Sequence, residues 1–204
     1  MGSGTIILTG RGEDEQWSKA VSLSDFIYPW ERETPSCTTF KALHSREWLY
    51  CLFFVRVHNV KVYRIADKKP EIIKSDRVEI FFKKDDQLSP YYCLEVDPLA
   101  RVYDYEAHYH RNFNTAWSWP EGQLHVKASR NSDGYSVEMA IHKDSLRSLG
   151  LLQNNVLLAG LYRAECVSIQ GSTSTMKWIS WINPDSPTPD FHIASSFGVL
   201  QLED

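Results

Sequence analysis

The chain has few cysteines and no cysteine pair of the kind that binds a metal. Its four cysteines are widely spaced and form no CxxC motif, so their spacing predicts no zinc site. Cys51 and Cys93 lie inside apolar runs, which favours buried free thiols. A disulfide between distant strands stays open at this point.

The chain also lacks an excess of positive charge and a long apolar run. It has 22 Lys and Arg against 26 Asp and Glu, a net charge of −4, which argues against a nucleic-acid partner. The most apolar stretch, WLYCLFFVRV, contains Arg56 and is too short to span a membrane. No leader-like region stands at the start. We therefore expect a cytoplasmic protein, or an extracytoplasmic one (periplasmic or secreted) whose signal peptide has been removed.

Most of the remaining segments read as β-strands. EWLYCLFFVRVH is apolar on both faces, which predicts a central strand. QLHVKAS and YSVEMAIH flank RNSDG, whose Asp133-Gly134 is a strong turn signal. HKDSLRSLG predicts one short helix, with Asp144 as N-cap and Gly150 as its stop. Without any linker or repeat, these features predict an all-β, antiparallel β-sandwich with one short helix, forming a single domain over residues 1–204.

An acidic set lies on two strands that a hairpin is expected to join. Glu79 lies on SDRVEIFF, and Glu95 and Asp97 share a face of YYCLEVDP. Two carboxylates on one wet face would repel each other, raise a pKa or need a cation between them, and we expect Arg163 to be that cation, with Arg101 as second candidate. The cluster is then either the polar floor of a sugar site or a network that only neutralises a partly buried face.

The order of motifs along the chain carries more information than any one of them. Trp17 and Pro29-Trp30 are followed by EWLYCLFFVRV, SDRVEIFF, YYCLEVDPLARVYDY, GYSVEMAIHKDSL, GLYRAE, WISW and DFHIASSFGVLQL. This succession resembles the family 9 carbohydrate-binding modules and covers nearly the whole chain. The likeness is closest to stand-alone members, which share the PLARVYDY and DFH segments. It implies a β-sandwich, of the kind also seen in DOMON domains, that binds saccharides without cleaving them.

The resemblance also indicates where the site lies and where it differs. In the family, two Trp side chains sandwich a terminal sugar, and their positions correspond to about Ile73 and Phe191 here. The acidic residue of the strand motif is retained as Glu79, whereas a basic residue on the next strand corresponds to Glu95. Calcium stabilises some members, so a structural calcium ion is an open cofactor here.

Aromatic residues in loops are the candidate sugar platforms. Trp117 and Trp119 lie in TAWSWP, and Phe191 and His192 lie in NPDSPTPDFHIASS. A loop aromatic can present a ring face to solvent, which suits stacking on a sugar. For Trp17 and Trp30 we expect only that they close the ends of the sandwich. Trp178 and Trp181, three apart on a strand, are expected to face opposite ways.

These patterns combine into one functional expectation: non-catalytic carbohydrate binding in polysaccharide or glycan catabolism, in an extracellular setting. The predicted site residues are Glu79, Glu95, Arg163, Trp117, Trp119, Phe191 and His192. The alternative is a protein-interaction or structural domain of a glycan-processing system. A glycoside hydrolase is disfavoured, because an arginine between the carboxylates is expected to keep both ionised, which is wrong for a general acid.

Metal and haem binding are weaker alternatives. His108 and His110 are two apart and share a face if extended, but nothing in the spacing selects a third ligand. Related sandwiches bind haem through axial Met or His. Here Met139 falls on the apolar face of its strand, which favours packing in the core.

Overall fold

Two antiparallel sheets account for most of the computed structural model, which describes residues 5–203. Its strands are β1 (Ser22–Leu23), β2 (Thr38–His44), β3 (Trp48–Arg56), β4 (Arg77–Lys83), β5 (Tyr91–Val96), β6 (Val102–His108), β7 (Asn112–Asn114), β8 (Leu124–Asn131), β9 (Gly134–His142), β10 (Leu152–Gln153), β11 (Val156–Gln170), β12 (Thr173–Ser180) and β13 (Gly198–Gln201). One α-helix, α1 (Lys143–Ser148), and 3-10 helices at Glu15–Lys19, Lys69–Lys74 and Ala194–Ser196 complete the described elements.

The smaller sheet has the strand order β1-β2-β3-β9-β8, and the larger one β10-β11-β4-β5-β6-β7. The long strand β11 pairs with β4 along one edge and with β12 and β13 along the other. The predicted antiparallel β-sandwich with a short helix is confirmed. The single domain over 1–204 stays a prediction, and residues 1–4 and 204 lie outside the described part of the chain.

The main core lies between the two sheets, because every second side chain of a strand points inward. Strand β3 contributes Leu49, Cys51, Phe53 and Val55, all buried, and lies between β2 and β9 as predicted for a central strand. The larger sheet contributes Val78, Ile80 and Phe82 from β4.

Each sheet is also covered on its outer face. The N-terminal segment packs on the smaller sheet, where the buried Glu138 accepts hydrogen bonds from Gly10 N and from Trp17 Nε1 (2.9 Å). The loop 181–197, between β12 and β13, packs on the larger sheet, where Phe81, Tyr162 and Phe191 form a separate apolar cluster. Polar residues on the outer face of β4 therefore lie beneath a loop and are shielded from bulk water.

The helix α1 confirms the predicted element but corrects its cap. The expected N-cap, Asp144, lies inside the helix, and His142 is the N-cap instead. His142 ends β9 in an extended conformation, and its Nδ1 accepts a hydrogen bond from Asp144 N (3.2 Å). Gly150, just beyond the helix, has a φ of +73°, as expected for a stop glycine.

Cysteines and membrane spans can be stated briefly. All four cysteines are free, and Cys51 and Cys93 are buried as predicted, whereas Cys37 is exposed. Between residues 5 and 203, no helix has the length and hydropathy needed to cross a membrane.

Candidate functional site

A cavity of about 150 Å³ opens on the outer face of the larger sheet. Its floor is made by β4, β5 and β12, and its walls come from the loop 181–197, the segment before β2 and the β6–β7 turn. The floor residues are Arg77, Glu79, Glu95 and Trp178, and the wall residues are Trp30, Arg111, Pro189, Asp190, Phe191 and His192. Four of the predicted site residues, Glu79, Glu95, Phe191 and His192, are thus brought together.

The cation of the floor is Arg77. Glu79 and Glu95 are directly opposed across β4 and β5. Arg77 Nη2 lies 2.9 Å from Glu79 Oε1, and Arg77 Nε donates to Glu95 Oε2 at 2.5 Å. Tyr105 Oη donates to the other oxygen of Glu95 at 2.9 Å. All three charged side chains are at most 5% exposed, so the cluster is a buried ionic network at the base of the cavity.

The expectation that Arg163 bridges these carboxylates is wrong. Arg163 is opposed to Val78 in the sheet, so its side chain lies on the inner face, behind Glu79. There its Nη2 lies 3.3 Å from Glu165 Oε1 and 3.7 Å from Asp76 Oδ1. The sequence does contain a signal for the correct cation. Side chains two residues apart on a strand share a face, so Arg77 must lie on the same face as Glu79 whatever their surroundings.

The second candidate cation, Arg101, does not reach the floor either. Its Nη2 lies 2.6 Å from Asp97 Oδ2 and donates to Tyr63 O at 2.8 Å. Asp97 belongs to this separate pair, so the predicted acidic set divides between two arginines.

Burial raises the pKa of Glu79 by more than the ion pair with Arg77 lowers it. Loss of solvent, followed by repulsion from Glu95, raises the pKa of Glu79 to about 8 against the attraction of Arg77. The Arg77 contact lacks the alignment of a hydrogen bond, and within the described chain Glu79 Oε1 accepts none. The expectation that an arginine would hold both carboxylates ionised is therefore wrong for Glu79.

Phe191 is the central aromatic residue of the cavity wall. It stacks on Tyr162, with ring centroids 4.1 Å apart and an 11° angle between the planes. Trp30 tilts against it at 5.4 Å, and Trp178 meets it edge-on at 5.9 Å. Of the two positions that the resemblance assigns to sugar-sandwiching Trp residues, Phe191 therefore lines the cavity. The other, Ile73, contributes its carbonyl oxygen, which accepts from Arg77 Nη1 at 2.8 Å.

Two Trp residues complete this wall. Trp30 was expected only to close an end of the sandwich, and that expectation is wrong. Its Nε1 donates to Ser186 O at 2.9 Å, which holds the half-buried ring against the loop 181–197. Trp178 faces the cavity while Trp181 packs on the main core, so these two face opposite ways as predicted.

His192 forms a half-buried, neutral part of the wall. Its ring stacks on Phe81 at 5.3 Å, and its Nδ1 is hydrogen-bonded to Tyr91 Oη at 2.8 Å. Burial and the nearby Arg111 charge lower the pKa of His192 to about 4, against the attraction of Asp190. The imidazole is therefore uncharged at neutral pH. At the mouth, Arg111 Nη2 pairs with Asp190 Oδ1 at 2.9 Å.

Trp117 and Trp119 lie elsewhere, which corrects their expected role as platforms. Trp119 is only 6% exposed, packs on the inward-facing Phe82, and donates from Nε1 to Ser145 Oγ at 3.0 Å. Trp117 is half-buried against Tyr92, also on the core side of the sheet. A Pro-containing loop does not by itself expose its aromatics, because these rings close the edge of the main core. Trp17 was also expected to close an end of the sandwich, and that expectation is wrong: it is buried on the outer face of the smaller sheet, where its Nε1 donates to Glu138 Oε1.

The residues considered as metal or haem ligands, His108 and Met139 among them, make other contacts in the structure. Between residues 5 and 203, no group of three or more His, Cys, Asp or Glu side chains is placed to hold a metal ion. His108 Nδ1 is instead hydrogen-bonded to Ser89 Oγ at 2.9 Å. Met139 is buried in the main core, as its position in the strand pattern predicted.

Comparison with known families gives one match that spans nearly the whole chain. The family model described as "Carbohydrate family 9 binding domain-like" matches residues 8–204. Comparison with the curated proteins finds no match.

Solved structures share the fold at low sequence identity. A proposed carbohydrate-binding protein from Bacteroides uniformis is 16% identical with a TM-score of 0.68, over 91% of this chain and 88% of that one. A family 9 carbohydrate-binding module from Caldicellulosiruptor kristjanssonii in complex with glucose is 18% identical with a TM-score of 0.63, over 99% and 93%. A structure of such a module from the same organism with cellotriose is 19% identical with a TM-score of 0.58, over 99% and 91%.

Proposed function

The chain belongs to the carbohydrate family 9 binding domain-like family, and on this premise we propose that its outer-face cavity binds a saccharide without cleaving it. The observation that carries the proposal is the composition of this one cavity. Aromatic rings of Trp30, Trp178 and Phe191 line it together with the buried charged cluster of Arg77, Glu79 and Glu95.

This combination matches the two surfaces of a pyranose. The C–H faces of the sugar ring are apolar and stack on aromatic rings, while its hydroxyls are strong partners for charged groups. A buried floor raises the strength of those polar contacts, because little water competes for them. Glucose and cellotriose in the related modules support a ligand of this class.

The cation of this floor lies on a different strand from the one that the resemblance indicates. Where the family carries a basic residue on the next strand, this chain has Glu95, and Arg77 on β4 supplies the positive charge instead. The floor keeps an arginine beside Glu79 but gains a second carboxylate. We therefore propose a saccharide different from the glucose-type ligands of the related modules.

We propose no catalysis, although the raised pKa of Glu79 supplies one group of the kind that an acid needs. A glycosidase places its two carboxyl groups on either side of the bond that breaks. Glu79 and Glu95 instead flank one guanidinium at the cavity floor, so both approach a ligand from the same side. Release of reducing ends from any oligosaccharide by the purified protein, lost in Glu79→Gln, would contradict this.

The cellular role follows the same proposal. We propose in addition that the protein takes part in polysaccharide or glycan catabolism outside the cytoplasm. Cell fractionation with an antibody tests this placement, and recovery only from the cytosol would contradict it. Structural calcium is tested separately by thermal unfolding with and without a chelator, and an unchanged midpoint would exclude it.

Calorimetry tests the binding itself. Titration with mono- and oligosaccharides at millimolar concentration should give a saturable signal that Trp178→Ala weakens at least tenfold. Trp48→Ala is the matched control, because the ring of Trp48 contacts those of His125 and His142, away from the cavity. If no saccharide binds, the cavity aromatics serve a protein-interaction or structural role instead.

A further inference from the structure

The cavity holds more negative than positive groups. Its charged lining consists of Glu79, Glu95 and Asp190 against Arg77 and Arg111, with His192 neutral beside them. One carboxylate is therefore left without a full counter-charge. In a buried setting such an imbalance is costly, so either a proton or a bound cation must offset it.

Both arginines are already engaged by protein groups. Arg77 donates to Glu95 and to Ile73 O, contacts Glu79, and lies over the ring of Trp178 at 5.5 Å. Arg111 pairs with Asp190 and also donates to Pro189 O at 3.4 Å. A negatively charged ligand would have to displace these partners, which disfavours acidic sugars.

The unmatched group is Glu79. It is 2% exposed, it lines the cavity, and its Oε1 accepts no hydrogen bond from residues 5–203. The titratable groups that face it are Arg77 on its own strand, Glu95 and Cys93 on β5, Tyr105 on β6 and Tyr162 on β11. Only Arg77 among these is cationic.

We propose that the saccharide bound in this cavity carries a protonated amino group, which supplies the missing positive charge beside Glu79. The ligand class is an amino sugar, or a glycan of amino sugars, with free amines. This inference rests on the proposed function, because it specifies the chemistry of the ligand for the same cavity.

A neutral sugar brings no positive charge to the two buried carboxylates that share Arg77. Its hydroxyl can donate to Glu79 Oε1, but Glu79 must then keep its proton or stay an uncompensated buried anion. An ammonium group donates and neutralises together, and charge-assisted hydrogen bonds are about twice as strong as neutral ones. An N-acetylated amine has no charge and therefore loses this advantage.

The proposal has a consequence for protons. Burial and the nearby Glu95 raise the pKa of Glu79 in the free protein, so an ammonium that pairs with its carboxylate favours loss of the carboxyl proton. Binding of the amino sugar should therefore release protons at pH 7, less the fraction that the partly deprotonated sugar amine takes up. Binding of a neutral sugar should release none.

The test compares three trimers with the same β-1,4 linkage, which differ only at carbon 2. These are the glucosamine trimer, the N-acetylglucosamine trimer and cellotriose. Calorimetry at 0.15 M salt, repeated in two buffers of different ionisation enthalpy, gives the affinity and the proton count for each. We expect the glucosamine trimer to bind at least tenfold more tightly than the other two and to release protons.

Two variants show whether the preference for the glucosamine trimer arises in the cavity or from general attraction of a cationic sugar to an acidic protein. Glu79→Gln should abolish both the preference for the glucosamine trimer and the proton release. Glu121→Gln removes an exposed carboxylate that does not line the cavity and should change neither. Circular dichroism checks that both variants fold, and the proton count on the unaltered chain decides the matter if Glu79→Gln does not.

The outcomes are distinguishable. Equal affinity for the three trimers, tighter binding of cellotriose, or a preference that survives in folded Glu79→Gln would overturn the amino-sugar inference and leave saccharide binding standing. Absence of binding to every trimer and to the monosaccharides would overturn both proposals.

Discussion

Glu79 and Glu95 face each other across two paired strands, and a single arginine, Arg77, contacts both. Their relationship determines the character of the cavity. The arginine lies between like charges, so its removal, or the removal of either carboxylate, changes the charge that a ligand meets. The predictions below use this cluster and the residues that support it.

Replacing Arg77 with Met should destabilise the fold strongly. The variant leaves two buried carboxylates without their cation, a change that typically costs about 3–5 kcal/mol in proteins. Urea unfolding at pH 7 measures the loss. Arg64→Met is the control, because Arg64 pairs with Asp67 with both side chains about half exposed, and such surface pairs contribute under about 1 kcal/mol. Similar losses in the two variants would mean that the floor is solvated.

Glu79 should make the protein less stable as pH rises from about 4.5 to about 8. Its pKa in the folded state is raised to about 8 from an ordinary 4.5, so the folded state binds more protons in this window. The free energy of unfolding then falls with pH by at most about 1.4 kcal/mol per unit. Unfolding measured at pH 5 and 8 should show that Glu79→Gln gains stability relative to the unaltered chain as pH rises.

His192 should act in the opposite direction and in a different window. Its pKa is lowered to about 4 from an ordinary 6.5, so the folded state binds fewer protons between these values and stability increases with pH there. His192→Gln should flatten the rise in stability between pH 4 and 6.5 while leaving the change between pH 7 and 8 intact. An unchanged acid limb would show that the imidazole is solvated.

Trp119 and Trp30 should separate stability from binding. Trp119→Ala empties a site in the main core and should cost about 3–5 kcal/mol. Because Trp119 does not line the cavity, the folded fraction should keep its ligand affinity. Trp30→Ala should lower the affinity several-fold with a smaller loss of stability. Denaturant unfolding and calorimetry on both variants check this, and the reverse pattern would exclude the cavity as the site.

Gly160 should support the aromatic wall from below. A Cβ at Gly160 would lie 1.9 Å from Tyr162 Oη, and Tyr162 is the residue on which Phe191 stacks. Gly160→Ala should therefore cost about 1–3 kcal/mol or more and weaken ligand binding without touching the ligand. In a Tyr162→Ala background the same change should cost much less. Equal costs in both backgrounds would mean that the ring does not overlie the glycine.

Much of the fold was readable from the sequence because strand alternation is a local property. The two apolar faces of β3, the Asp133-Gly134 turn and the short helix all rest on neighbouring residues, and the structure confirms them. The N-cap was misplaced, because an imidazole at the end of β9 competes with Asp144 for that role.

The site was only partly readable because its residues meet through pairing between distant strands. Glu79 and Glu95 were placed together correctly through their hairpin. Arg163 was misassigned because the register of β11 against β4, which puts it behind Glu79, is not a local property. The burial of Trp119 and the placement of Trp30 depend on how long loops pack, and no periodicity describes that.

Strand β4 divides its residues between two separate environments. Val78, Ile80 and Phe82 face the core between the sheets, while Arg77, Glu79 and Phe81 face the cavity and its apolar surroundings. Coordinated substitutions in the second set can alter ligand preference while the packing between the sheets stays as it is. A strand built in this way lets one scaffold diversify into receptors for different molecules, each inheriting the same folding core.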